Sequence, residues 1–159
     1  MTLPFPPPPA LPAARCSIHD GLGGGVLFDG AGTRGRLVGC DIKHNLGVGV
    51  LIRRGADPTL CANKIHDGGQ EGVYVLGSGA KGRLEGCEIW GNEGGGVFVT
   101  LGGDPTLVGN TIRDHARWRL LPHSGSGLFV DFDARGCAAL GVGNVFARNE
   151  AGDVVRERG

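Results

Sequence analysis

The sequence predicts an all-β chain wound as a right-handed parallel β-helix of about six coils, most of them 23 or 24 residues long. Three observations lead there. Short motifs return at a nearly constant step, three apolar clusters fall within each step, and glycine or Asp-Pro bounds every cluster.

The step is read from motifs that stand in one phase: Cys16-Ser-Ile18, Cys40-Asp-Ile42, Asn63-Lys-Ile65, Cys87-Glu-Ile89, Asn110-Thr-Ile112 and Asn144-Val-Phe146. From 16 to 40, 63, 87, 110 and 144 the steps are 24, 23, 24, 23 and 34 residues. A second series keeps time with it: Gly25-Val26-Leu-Phe28, Gly49-Val50-Leu-Ile52, Gly72-Val73-Tyr-Val75, Gly96-Val97-Phe-Val99 and Gly127-Leu128-Phe-Val130. Leu37, Leu60, Leu84, Leu107 and Leu140 form the third. Gly-Arg-Leu before Leu37 and Leu84 alternates with Asp-Pro-Thr-Leu before Leu60 and Leu107, so the full unit is a pair of coils, about 47 residues.

Clusters of two to five apolar residues leave no room for a helix of ordinary length, and the Val-x-Val alternation has the two-residue period of a strand. Three short strands per turn, each stacked on its counterpart one coil away, make a parallel β-helix of the pectate-lyase type. Three inward columns follow. One is Val26, Val50, Val73, Val97 and Leu128; the next is Phe28, Ile52, Val75, Val99 and Val130; the last is Ile18, Ile42, Ile65, Ile89, Ile112 and Phe146. The Cys/Asn positions mark a corner, where asparagine amides are expected to hydrogen-bond along the rod and cysteine to fill the same slot as a small hydrophobe.

Composition agrees. Glycine supplies 32 of 159 residues, roughly three times its usual share, without the strict spacing of collagen. Sixteen basic and 16 acidic residues cancel, so charge recruits neither nucleic acid nor an anionic membrane. No apolar run is long enough to cross a bilayer, and no secretory signal is read at the proline-rich start. Five cysteines without a CxxC pair point to free thiols and a reducing, cytoplasmic setting. The expected organisation is a proline-rich segment or cap over 1–15 and a β-helix over 16–159, with an insertion at about 115–123.

The runs Gly55-Ala-Asp-Pro-Thr-Leu-Cys-Ala-Asn-Lys-Ile65 and Gly102-Gly-Asp-Pro-Thr-Leu-Val-Gly-Asn-Thr-Ile112 carry a resemblance. They are similar to the paired β-helix repeats of F-box-only proteins with a CASH (carbohydrate-binding and sugar hydrolase) domain, and of related bacterial β-helix proteins, over residues 16–156. The resemblance implies a protein-recognition surface, which in the F-box members selects substrates for ubiquitination. No helical F-box segment is read before Cys16.

Candidate sites are sought on outward positions. Beside the valines lie Leu27, Leu51, Tyr74, Phe98 and Phe129, an apolar column that supplies neither general acid nor base and is expected to be a partner-binding face. Asp41 and Glu88 stand two coils apart, about 9–10 Å, with Lys64 between them; a salt-bridged ladder is expected rather than an acid–base pair. Asp20, His44 and Asp67 form a column at the turns, where such residues could bind a proton or a metal but are also what tight turns use. No nucleotide-loop, zincin or nucleophile-elbow motif occurs, so no cofactor and no metal is expected. The coil-five insertion, His115 to His123, carries Arg117, Trp118 and Arg119, side chains enriched where interfaces concentrate their energy. The expected function is a non-catalytic protein-binding or scaffold module whose partner is another protein or a larger assembly. Carbohydrate binding or carbohydrate activity, and a structural-subunit role, are the alternatives.

Overall fold

The computed structural model describes residues 12–116, 124–134 and 142–156. Coil 1 is β1 (Ala13–Ala14), β2 (Ser17–His19) and β3 (Val26–Asp29); coil 2 is β4 (Arg36–Val38), β5 (Asp41–Lys43) and β6 (Val50–Arg53). Coil 3 is β7 (Thr59–Cys61), β8 (Lys64–His66) and β9 (Glu71–Leu76); coil 4 is β10 (Arg83–Glu85), β11 (Glu88–Trp90) and β12 (Gly95–Thr100). Coil 5 is β13 (Thr106–Val108), β14 (Thr111–Arg113) and β15 (Ser126–Val130), followed by a 3-10 turn at Phe132–Ala134. Coil 6 contributes β16 (Val145–Ala147) and β17 (Gly152–Arg156).

Every pairing is parallel and joins one coil to the next. The strands assemble into sheet A (β1-β4-β7-β10-β13), sheet B (β2-β5-β8-β11-β14-β16) and sheet C (β3-β6-β9-β12-β15-β17). The register reproduces the columns read from the step: Ile18↔Ile42↔Ile65↔Ile89↔Ile112↔Phe146 in sheet B, and Val26↔Val50↔Val73↔Val97↔Leu128 in sheet C. Strand pairing already begins at Ala13, opposite Leu37, ahead of the Cys16 boundary. No helix among the described residues is long and apolar enough to cross a membrane.

The core is a filled tube. Ile65, Ile89, Ile112, Val73, Val75, Leu60, Leu84 and Leu107 are fully buried, and each such side chain contributes about 1.5–3 kcal/mol relative to exposure. β-branched side chains suit this setting because their restricted χ1 fits the pleated surface of a strand with little further loss of freedom. Coil 1 has a described neighbour on one side, which leaves Ile18 and Val26 half-buried. Gly25, Gly49, Gly72, Gly96 and Gly127 make a further column whose missing Cβ atoms would point into the isoleucine column, at Phe146 in the last coil, or into the backbone of the next coil.

The corners are held by amides that reach back one coil. Asn63 Oδ1 accepts from Cys40 N (2.8 Å) while its Nδ2 donates to Leu37 O (3.0 Å); Asn110 does the same to Cys87 N (2.9 Å) and Leu84 O (2.9 Å). The amides were expected to bond to one another. That happens where Asn110 Nδ2 meets Asn144 Oδ1, because elsewhere asparagine and cysteine alternate along the corner and no amide stands next to another. Cys40 and Cys87 fill their slots as buried thiols, donating to Ala13 O and Leu60 O, whereas Cys16 is exposed and donates within its own coil to Ala14 O.

A second ladder, unforeseen from the sequence, runs at the next corner. Asn45 bonds Gly21 N and Ile18 O, Asn92 bonds Gly68 N and Ile65 O, and Asn149 donates to Ile112 O. His115 occupies the coil-five position. It is therefore no part of the insertion loop to which its sequence position assigned it: it is 0% exposed, and its Nδ1 accepts from Asn92 N at 3.2 Å. Its Nε2 is buried without a hydrogen-bond partner.

Burial pushes the His115 imidazole down from 6.5 to about 4, against the neighbouring Asn92 and Ile89 backbone, which favour its protonated form. As pH falls through 6.5 the unfolded chain takes up the proton while the folded chain does not. The neutral histidine's contribution is thus complete above 6.5 and lost on the way down to about 4. At about 1.4 kcal/mol per tenfold change in proton affinity, the loss amounts to roughly 3 kcal/mol. Replacing His115 by asparagine, the residue its ladder uses elsewhere, is expected to abolish that part of the slope; urea midpoints of both proteins between pH 7 and 4 measure it. Equal slopes would remove His115 as the cause.

Candidate functional site

The outward column of sheet C lies in register as expected, Leu27↔Leu51↔Tyr74↔Phe98↔Phe129. Its exposure is graded rather than uniform. Leu27 is 52% exposed and Leu51, Tyr74 and Phe98 are half-buried, but Phe129 is 2% exposed. The expectation of an exposed Phe129 is thus corrected. Its ring stacks on Phe98 at 4.4 Å and 15°, and the last strand runs along its other side with Val155 in register. Phe98 in turn meets Tyr74 edge-on at 5.5 Å, and the Tyr74 hydroxyl lies 3.0 Å from Thr100 Oγ1. The apolar face is therefore most open at Leu27 on coil 1, half-buried on coils 2–4 and closed at coil 5. Arg117, Trp118 and Arg119 lie outside the described residues.

Beside the open end of this column is a cavity of about 360 Å³, lined by Gly24, Val26, Leu27, Val48, Leu51 and Gln70 among others. Two more leucines stand clear of the turn that feeds sheet C, Leu22 at 90% and Leu46 at 61% exposure. Next to Gln70, at the lower border of the cavity, is Glu71. Its carboxyl carbon rests 3.0 Å from where a Cβ of Gly94 would sit, on the following coil. Burial pushes this carboxyl above its ordinary value.

Asp29, Asp114 and Asp41 behave in the opposite way. Arg54 and Arg53 hold Asp29 down to about 2, and Arg148 and Arg113 do the same for Asp114. Asp41 lies below its ordinary value because Lys43, at 2.6 Å, and then His66 bond to it. The expected Asp41–Lys64–Glu88 ladder has the predicted register, yet Asp41 turns to Lys43 and His66 instead. Lys43 lies two residues along the same strand, on the same outward face, and can meet the carboxylate without crossing between coils.

The histidines and aspartates after sheet B form turns. Asp20, His44, Asp67, Asp114 and Arg148 all have φ between 51° and 59°, and Gly91 stands at 62°, one left-handed residue per coil. Aspartate and histidine are among the side chains that tolerate this conformation best. His66 is bound on both sides: its ring nitrogens lie 2.8 Å from Asp41 Oδ1 and 2.7 Å from Asp67 Oδ2, so each faces a carboxylate of the chain itself. Among the described residues no group of three or more His, Cys, Asp or Glu is placed to bind a metal ion.

The outward face of sheet B contains a stack that sequence reasoning missed. His66 lies 4.0 Å from Trp90 at 9°, and the Arg113 guanidinium sits 5.2 Å over the other ring centroid. The step of 23 or 24 that aligned the inward columns also aligns Lys43, His66, Trp90 and Arg113, so extending the reading to that position would have exposed the stack.

Compared with known families, residues 13–158 match the model described as a right handed beta helix region. No curated protein and no solved structure matches the chain.

Proposed function

Since the chain belongs to the right-handed β-helix family, we propose that it is a non-catalytic, cytoplasmic protein-binding module that engages another protein, or a larger assembly, through the outward face of sheet C. The observation that carries this reading is the apolar column of coils 1–3, exposed at Leu27 and half-buried at Leu51 and Tyr74. Leu27, Leu51 and Tyr74 stack on consecutive coils beside a cavity of about 360 Å³. Contiguous apolar surface of this kind marks interaction sites on soluble proteins. The resemblance of the Asp-Pro-Thr-Leu coils to CASH-type repeats supports recognition as the task.

A catalytic reading has less support. Asp29, Asp41 and Asp114 are committed to arginine, lysine or histidine, and a carboxylate held ionised by a cation is a poor general acid. Sugar stacking on Trp90 is opposed by His66 and Arg113, which occupy both faces of its ring. The test is affinity capture from the native cell with wild-type protein and a Leu27→Asp, Tyr74→Ser double variant. Loss of the captured protein with an unchanged circular dichroism spectrum is the expected result. Undiminished capture would remove the face from consideration, and hits on a glycan array would favour the carbohydrate alternative.

A further inference from the structure

Glu71 is out of keeping with the rest of the surface. Asp29, Asp41 and Asp114 each have a cation in contact, whereas the Glu71 carboxylate has only its own backbone N–H to set against burial, and no cation shifts it. The stretch that leads from sheet B into sheet C, with the first residues of β9 and β12, covers 21–25, 45–49, 68–72 and 92–96 on coils 1–4. Along it Glu71 and Glu93 are the charged residues, and there is no lysine or arginine. A half-buried carboxylate without a cation is costly, and a cation brought to it recovers what burial removed. The leucines of the same border, Leu22, Leu27 and Leu46, are exposed, and the cavity between Val48 and Leu51 ends at Gln70, one residue from Glu71.

Resting on the protein-binding reading above, we propose that this border of sheet C takes an extended apolar peptide segment carrying a lysine or arginine, whose cation is set against Glu71. The apolar residues lie along Leu27 and Leu51. The long stem of the basic side chain crosses the leucines and delivers its charged head to the carboxylate, as lysine and arginine stems do over apolar surface. Glu93, exposed on the next coil, adds a second negative charge that draws such a segment to this end of the face.

The test is selection from a display library of random peptides on the intact chain, repeated on Glu71→Gln, Glu71→Lys, Leu51→Asp and Leu27→Asp. Leu27 is exposed, so its substitution keeps the experiment decisive if the Leu51 variant does not fold. The expected result is enrichment of peptides that combine alternating apolar residues with a lysine or arginine. Their binding falls about tenfold on Glu71→Gln and is lost on Leu27→Asp, and Glu71→Lys selects acidic residues in place of basic ones. Apolar peptides without a basic residue, indifferent to Glu71, would overturn the charge assignment while leaving the face as a binding site. Enrichment that survives Leu27→Asp, or none above background, would overturn both this proposal and the face. A dimer dissolved by Leu27→Asp in size-exclusion chromatography would put a second copy on the border and overturn it as well.

Discussion

Gly96→Ala is expected to destabilise the protein by about 4 kcal/mol or to prevent folding, although it adds a single methyl group. A Cβ at this position would lie 2.4 Å from Gly127 O, 2.4 Å from Ile112 Cγ2 and 2.9 Å from His115 Nε2. None of the three can give way cheaply. The carbonyl belongs to the next coil's backbone, the isoleucine is fully buried, and the imidazole is fixed in its ladder. Interiors packed to crystal density take up such an overlap by shifting backbone, and in a solenoid a shift in one coil passes to its neighbours. Gly23→Ala is the matched control. Nothing lies within 4 Å of a Cβ there, so its effect should stay within about 0.5 kcal/mol. Urea unfolding of both variants measures the contrast, and equal midpoints would refute the steric account of the glycine column.

Asn110→Ala carries the second large effect, about 4 kcal/mol. The asparagine satisfies Cys87 N and Leu84 O, which belong to the preceding coil, and also donates to Asn144 Oδ1. Alanine leaves the first two groups in a dry corner without partners, at roughly 1–3 kcal/mol each, and adds a small void. The corner itself suggests the milder substitute. Cys87 donates its thiol to Leu60 O at 3.4 Å, in the way the asparagines donate their amides. Asn110→Cys should therefore retain a donor for Leu84 O, lose the acceptor for Cys87 N, and fall between wild type and Asn110→Ala in thermal unfolding. The reverse order would mean that volume, and not hydrogen bonding, governs the corner.

Much of the fold was legible because each inward side chain is repeated on the next coil at a step that varies by a single residue through four coils. Ile42, Ile65 and Ile89 announce one another, and so do Val50, Val73 and Val97. What could not be read was whatever depends on a single residue's surroundings. Phe129 has the same column position as Leu27, yet one is stacked into the rod and the other stands in solvent, because burial is set by neighbours and not by phase. His115 looked like the first residue of an insertion, since the step from Asn110 to Leu128 is 18 residues where the other coils have 10. Chemically it continues the series of asparagines, presenting a ring nitrogen where they present an amide oxygen. Lys64 stood between two acids in the sequence pattern, but Lys43 and His66 were closer competitors for Asp41. The stretch of the candidate face from Leu27 to Tyr74 was visible as a column of apolar residues. Glu71 was not, because an acidic residue in a glycine-rich turn stands out only when no cation is found beside it.

The asparagine ladders point one way. Asn63 bonds the backbone of the coil before it, and Asn110 and Asn144 do likewise, so each coil's corner is completed by the coil that follows in the chain. The rod therefore has a direction of closure that coincides with the direction of translation. A coil that leaves the ribosome first has its corner donors sealed only by the coil that emerges after it.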